Sequence, residues 1–351
     1  MPTSVSCPAS IPSNPGVPSG ARLLLTGATG FVGRHLWPAL EAAGYQVRGL
    51  TRDPEQARQR QPERDWVGGD IGDPEAVAGA LAGCRAAFYL VHGMAEGDSD
   101  YRRREVESAQ RFAEVAERVG VRRIIYLGGV APSVNPSEHL RSRLEVGEAL
   151  RSGSVPTLEL RASMIVGYGS LSWLIVRDLA ARLPVMVLPR WLNSRTQPVG
   201  IADVVAALRG ALTLPLPESA WYDLPGPETL TGREILYQTA AALGLRRPWT
   251  IQVPLLAPWL SSYWVLFVTR AEWSVAREVV VGLREDLVAE NDAYWRRIGH
   301  LQLQSFLEAA RAALAEERKA PGNSPPTPSG FWGGVERGMQ RYRGMRPGVG
   351  K

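Results

Sequence analysis

Between residues 21 and 166 the chain alternates two kinds of apolar pattern. Short runs rich in aliphatic and β-branched residues fall at 21–26, 45–51, 64–67, 85–91, 122–127 and 157–166. Between them, apolar residues recur at three- and four-residue spacing over Phe31–Ala43, Pro54–Arg60, Pro74–Leu81, Tyr101–Val119 and Glu138–Ser152. The first kind reads as strand and the second as helix, because side chains repeat about every two residues on a strand and about every 3.6 on a helix. In the longest helical segment Val106, Ala109, Phe112, Ala113, Ala116 and Val119 share one face, charges take the other, and Gly120 supplies a stop. Strands alternating with helices make βαβ units, so the pattern predicts the α/β class: a Rossmann-type doubly wound parallel sheet with a smaller C-terminal substrate lobe.

The alternation breaks down near residue 170. Two stretches return to it, Pro198–Leu212, with a strand-to-helix look at Val199–Asp203, and Trp221–Gly244. The predicted organisation is a flexible leader over 1–20, a Rossmann-type core over 21–245 with 170–195 contributing to the small lobe, the rest of that lobe over 246–317, and a disordered basic tail over 318–351. Open α/β sheets bind ligands at the carboxyl edge of their strands, so a lobe over that edge is expected to supply substrate contacts. Arg247 and Arg270 bracket 22 uncharged residues, long enough to span a bilayer. Pro248, Pro254 and Pro258, with Ser261 and Ser262, interrupt the run, which favours an apolar pocket wall or buried helix over a transmembrane span.

Candidate chemistry begins at the first strand-to-helix junction. Thr26-Gly27-Ala28-Thr29-Gly30-Phe31-Val32-Gly33 places glycines where a dinucleotide fold needs them. The first permits a tight turn, the second lets backbone approach a pyrophosphate, and the third lets the helix pack closely on the strand. The helix N-terminus then offers its free N–H groups to the phosphates, with Arg34 just behind. The second strand runs into Thr51-Arg52-Asp53-Pro54. Asp53 there could hydrogen-bond a ribose 2′-hydroxyl and select NAD, whereas Arg52 could grip a 2′-phosphate. Asp-Pro is also a helix start, and with Asp53 read as the N-cap the balance favours NADPH over NADH. After the third strand, Asp70 is placed either to accept from the adenine amino group, with Ile71 on the ring face, or to cap the next helix, and since Asp73-Pro74 already supplies that cap the adenine role is favoured. Val91 and His92 fall near the nicotinamide ribose. The histidines, at 35, 92, 139 and 300, have no zinc-ligand spacing, and no metal site is predicted.

Composition narrows the setting. With 45% hydrophobic residues in 351, the chain can bury a full core. Two cysteines, Cys7 and Cys84, give no disulfide framework, and the leader lacks the basic and apolar regions of a secretory signal. A cytoplasmic location is the expectation. The formal charge of +5 is concentrated at residues 318–351, where seven basic side chains face one acid, so no specific nucleic-acid partner is expected from the rest. Only two residues are lysine, Lys319 and Lys351, so no mechanism can draw on a lysine in the folded region.

These motifs resemble the extended and atypical short-chain dehydrogenase/reductase superfamily, particularly its NAD(P)H-binding, epimerase-like branch. Thr26–Gly33 matches its T-G-A-T-G-x-x-G loop and Asp70-Ile71 its adenine contact. Leu160-Arg161-Ala162 with Gly167-Tyr168-Gly169, Pro198–Asp203 and Leu224–Ile235 resemble its later segments. The resemblance implies a Tyr-x-x-x-Lys pair and a Ser or Thr at the end of the fifth strand. The chain departs from all three. Tyr126-Leu127-Gly128-Gly129 puts glycine in place of the hydroxyl, and the helical pair reads His139-x-x-x-Arg143. Residues four apart share a helix face, so both can reach a cofactor. Arg143 is expected to bind ribose hydroxyls. His139 is a candidate acid, but the guanidinium opposes its protonation, so a hydrogen bond to cofactor or substrate is the alternative. Ser137 and Tyr168 are further hydroxyls near this end. The resemblance therefore implies an NADPH-dependent reductase of a small, apolar carbonyl or quinone lacking the Ser-Tyr-Lys set. The alternative is a non-catalytic NADP(H)-binding redox sensor or accessory protein.

Overall fold

A computed structural model describes residues 16–91, 100–132, 137–182, 185–189, 193–253 and 286–320. His92, most of the apolar stretch after Arg247 and the segment 321–351 lie outside the described residues, as does the leader up to residue 15.

The first half follows the apolar pattern closely. In order come β1 (Arg22–Thr26), α1 (Phe31–Ala42), β2 (Gln46–Thr51), α2 (Pro54–Arg60), β3 (Asp65–Gly68), α3 (Pro74–Leu81), β4 (Ala86–Tyr89), α4 (Tyr101–Arg118), β5 (Arg123–Gly129), α5 (Glu138–Arg151) and β6 (Thr157–Ala162). β7 (Ile165–Val166), α6 (Leu171–Arg182), β8 (Val185–Pro189), β9 (Arg195–Thr196), β10 (Val199–Gly200), α7 (Ile201–Thr213), β11 (Ala220–Asp223), β12 (Leu230–Thr231), α8 (Gly232–Ala242), β13 (Trp249–Val253), α9 (Ala293–Arg297) and α10 (Phe306–Lys319) complete it.

Seven strands form a parallel sheet in the order β11-β6-β5-β4-β1-β2-β3. Strand order reverses between β1 and β4, which opens a crevice at their carboxyl ends. Both faces are covered, so the central strands β1, β4 and β5 are buried along nearly their whole length, with apolar residues on both faces. Leu23 and Leu25 point into a core shared with Trp37, Leu40, Leu208 and Leu212 of α1 and α7. Leu24, between them, points the other way, towards Val77, Phe112 and Leu150 of α3, α4 and α5. The packed chain begins before β1: Val17 is buried and its N–H donates to the Leu212 carbonyl at 2.7 Å.

The single strand expected over 157–166 is two. After Ala162 the chain leaves the sheet, and β7 pairs with β10 instead. Ser163 fixes the departure by donating to the Gln197 carbonyl at 2.9 Å. Beyond it α6, α8 and α10 close a separate cluster containing Trp173, Ile235, Leu236, Phe306 and Leu314. α8, which the sequence pattern groups with the core, packs on α6 and α10. Arg318 and Lys319 form the last turn of α10. Within this lobe Arg177, Asp178, Arg182 and Glu317 are all buried, with Arg177 donating to both Asp178 and Glu317. Among the described residues no helix is long and apolar enough to cross a membrane, and no three His, Cys, Asp or Glu side chains converge as a metal site.

Candidate functional site

The crevice between β1 and β4 is built by the glycine loop. Thr26 is buried, donates to the Phe88 carbonyl and accepts from the Leu90 N–H, each at 3.0 Å, which stitches β1 to β4 where the loop starts. Gly27 has φ +65°, and a Cβ there would lie 2.6 Å from the Leu90 carbonyl oxygen. A Cβ on Gly33 would overlap the Gly27 carbonyl and sit 2.7 Å from the Ala28 Cα. No other residue fits either place. α1 then starts at Gly30 with no capping side chain and no acid in its first turn. By contrast α2, α3, α5, α8 and α10 are capped by the side chains of Asp53, Asp73, Ser137, Thr231 and Ser305. The N–H groups opening α1 are left for a phosphate, so these residues fit the pyrophosphate of a dinucleotide.

A cavity of about 920 Å³ extends from this loop over β2 and β3 to α4. Gly27, Thr29, Arg34, Arg52, Asp70, Ile71 and Val91 lie on its wall. Ala28 is buried behind the loop, Val32 packs on the core, and the Phe31 ring lies against Gly167. Arg34 lies against Gly169, whose φ of +89° and missing Cβ make room for the guanidinium. Asp53 Oδ1 accepts the Gln56 N–H at 2.9 Å, which engages it as the α2 cap, while Arg52 is exposed on the cavity wall. Asp70 Oδ1 accepts the Gly72 N–H at 2.8 Å, so the loop fixes the carboxylate at the rim.

Outside that cavity's lining, the ends of β5 and β6 are covered by α5. Arg143 donates to the Leu127 carbonyl at 3.1 Å, at the end of β5, and the Tyr126 hydroxyl donates to the Arg143 carbonyl at 2.9 Å. The side-chain stem of Arg143 runs past Gly129, within 3.8 Å of where a Cβ would be. Burial, reinforced by the Arg143 charge, pushes His139 down to about 4, so its imidazole is neutral at pH 7. Ser137 accepts the Leu140 N–H at 3.3 Å as the α5 cap. Beneath these groups lies a fully buried carboxylate, Glu159 on β6. It pairs with Arg161 through two bonds of 2.8 and 3.3 Å and with Arg151 at 2.8 Å. Arg161 in turn lies 4.1 Å over the Trp221 ring. A Cβ at Gly147 would be 2.5 Å from this carboxylate, and one at Gly128 2.9 Å. The two glycines and the carboxylate therefore require one another.

Sequence reasoning missed one wall. Tyr101, Arg104, Glu105 and Ser108 line the cavity from α4, and Gln56 and Arg60 line it from α2. The α4 set is spaced i, i+3, i+4, i+7, one helical face. It stands beside the apolar face that packs on the sheet, and it begins where β4 delivers the chain to the crevice. That polar stripe was the available signal. Of the histidines, His35 bridges Phe31 and Glu316, and His300 pairs with Asp203 at 2.8 Å, so both are engaged structurally.

Comparison with known proteins agrees with this geometry. Residues 27–180 match a family described as NAD(P)H-binding. The chain is 32% identical over 232 residues to (4-alkanoyl-5-oxo-2,5-dihydrofuran-3-yl)methyl phosphate reductase of Streptomyces griseus, covering 63% of this chain and 74% of that one. It is 33% identical over 188 residues to ceramide reductase of Caulobacter vibrioides, covering 52% of this chain but only 58% of the relative. Among solved structures, the triphenylmethane reductase of a Citrobacter species, complexed with NADP(H), superposes with TM-score 0.64 at 19% identity over 84% of this chain and all of that one. UDP-glucose 4-epimerase of Thermotoga maritima superposes with the same TM-score at 13% identity, over 85% of this chain and 99% of that one. With the glycine loop, the strand order and the matched residues in agreement, the chain belongs to the NAD(P)H-binding branch of the extended short-chain dehydrogenase/reductase family.

Proposed function

We propose that the chain is an NADPH-dependent reductase of a small, largely apolar carbonyl or quinone. The observation that carries the reading is the cavity wall beside the uncapped α1 N-terminus, where Arg34 and Arg52 are exposed while Asp53 is held as a helix cap. Two guanidiniums suit a 2′-phosphate, and an engaged Asp53 is a poor partner for a 2′-hydroxyl. The relatives support the direction of the chemistry, since both are named as reductases, and ceramide is a lipid.

Bound NADPH would supply a hydride. The chain's own residues then have distinct tasks. Gly27, Thr29, Gly30 and Gly33 shape the loop that seats the pyrophosphate, and the α1 N-terminus contributes its N–H groups. Arg34 and Arg52 hold the phosphate on the adenosine ribose, and Asp70 with Ile71 receives the adenine. Arg143 orients the other ribose, with its guanidinium steadied by the Leu127 carbonyl. Holding cofactor and acceptor in register can provide much of the rate, which allows reduction to continue without Ser-Tyr-Lys. Neutral His139 is suited to a hydrogen bond with substrate or cofactor.

The test mixes the purified full chain with NADPH or NADH and a panel of aliphatic aldehydes, ketones and quinones, following loss of the reduced-cofactor absorbance. The expected result is oxidation with at least one acceptor, faster with NADPH at limiting concentration. Tight NADPH binding without turnover across the panel would instead identify a cofactor-binding sensor or accessory protein.

A further inference from the structure

We propose that Gly169, in the turn between β7 and α6, is a positioning residue for cofactor binding: its bare backbone seats the Arg34 guanidinium on the cavity wall, ready for a phosphate of the dinucleotide. The assignment rests on the reading of Arg34 as a phosphate contact. Arg34 lies in the first turn of α1, is exposed, and lines the cavity beside Gly27 and Thr29. A long exposed side chain samples many rotamers, and ordering it on binding costs affinity unless the protein orders it beforehand.

Neighbouring arginines are ordered by protein acceptors. Arg48 donates to Asp65 at 2.9 Å, Arg58 to the Trp66 carbonyl at 2.8 Å and Arg64 to Gln61 at 2.7 Å. Among the described residues the Arg34 guanidinium has no such acceptor. It has Gly169 instead. A Cβ there would overlap Nη2 of Arg34 and lie 3.5 Å from its Cζ, so the guanidinium rests directly on the backbone of the turn.

That turn is fixed on its other sides. The buried Ser170 donates its hydroxyl to the Ile165 carbonyl at 2.7 Å and accepts the Trp173 N–H at 3.4 Å, while its own N–H donates to the Gly167 carbonyl at 3.1 Å. Gly167 takes the Phe31 ring, which would lie 3.0 Å from a Cβ at that position. Phe31 and Arg34 are three apart on α1 and share a face, so one turn receives both side chains, each on a glycine. The two positions differ from those of the loop in what a Cβ would meet. At Gly27 and Gly33 it would meet backbone, whereas at Gly169 it would meet the far end of a flexible side chain. A Cβ at 169 therefore displaces the guanidinium and leaves the loop intact.

A double-mutant cycle on the full chain tests the role, with NADPH and NADH dissociation constants from fluorescence titration. Gly169→Ala should raise the NADPH constant about tenfold, the loss of one charge-assisted contact, and in an Arg34→Ala background by less than about twofold. The positive φ strains alanine, so urea titration reads folding separately, and Gly169→Asn, which adopts that conformation more readily, carries the same cycle if the alanine variant does not fold. Equal losses in both backgrounds, or no loss in either, overturn the role of Gly169 alone. Coupling seen with NADPH but not NADH supports it at the 2′-phosphate. Coupling of the same size with both nucleotides supports it at the pyrophosphate and removes Arg34 from the 2′-phosphate pair. A wild-type chain that binds neither nucleotide, or an Arg34→Ala variant that binds both as tightly as wild type, removes the phosphate reading and the role of Gly169 together.

Discussion

At the glycine loop the geometry is set by backbone, and around α5 it is set by buried side chains. The loop from Gly27 to Gly33 leaves no room for a Cβ at two positions and starts a helix without a cap. The cations around it are exposed and lie on the surface of the cavity. Around α5, by contrast, Glu159 is sealed beneath Gly147 and Gly128 and clamped by Arg151 and Arg161, and Arg143 is bonded to β5. A backbone constraint admits one residue type, so it keeps its sequence signature. A side-chain constraint can be met by several combinations, and around α5 it is met by Arg143 bonded to β5 and by Glu159 between two arginines.

That contrast can be broken first at the loop. Gly33→Leu should cost at least about 4 kcal/mol of NADPH binding, roughly a thousandfold, because the side chain must enter the Gly27 and Ala28 backbone. Calorimetric titration checks it, and a modest loss would mean the loop is not the cofactor seat. At the other end, Glu159→Gln should lower stability to urea by about 3 kcal/mol, since it leaves two guanidiniums facing a neutral amide in a buried site.

Arg52→Ala sharpens the adenosine end: NADPH affinity should fall by about 1.5–3 kcal/mol while NADH affinity holds, and equal losses would refute a phosphate contact. Asp53→Ala should lower stability by only about 1 kcal/mol, the cost of a lost helix cap, without changing the ratio of NADPH to NADH affinity. The last effect is electrostatic and is absent at neutral pH. His139 binds its proton less readily folded than unfolded, so the unfolded chain takes up more protons as pH falls below about 6.5. Its contribution to stability is therefore intact at pH 7 and is lost as pH falls towards about 4. His139→Gln should flatten the stability profile in that window alone, which urea titrations at several pH values would reveal.

The same contrast explains what was legible in the sequence. The strands up to β6 and the helices between them follow from local apolar period, and Asp53 and Asp73 cap α2 and α3 as Asp-Pro predicts. The split of 157–166 was not legible, because pairing of β7 with β10 is decided by residues more than thirty positions away. α10 did carry a local signal, the Ser305–Glu308 capping box, before its apolar face. The position of Arg34, Arg52 and Asp70 on the cavity wall was readable from the crevice rule. Tyr101 and Glu105 were not singled out because they share a helix whose charged face reads as solvated. Gly128 and Gly147 carry meaning only once Glu159 is seen beneath them.

Direct hydride transfer is the central claim, and isotope transfer tests it most directly. NADPH deuterated at both C4 positions should pass one deuterium to the carbonyl carbon of the alcohol formed from an accepted aldehyde or ketone, visible by mass spectrometry. Alcohol formed without deuterium at that carbon, or no alcohol from any acceptor while NADPH is bound, would contradict the account.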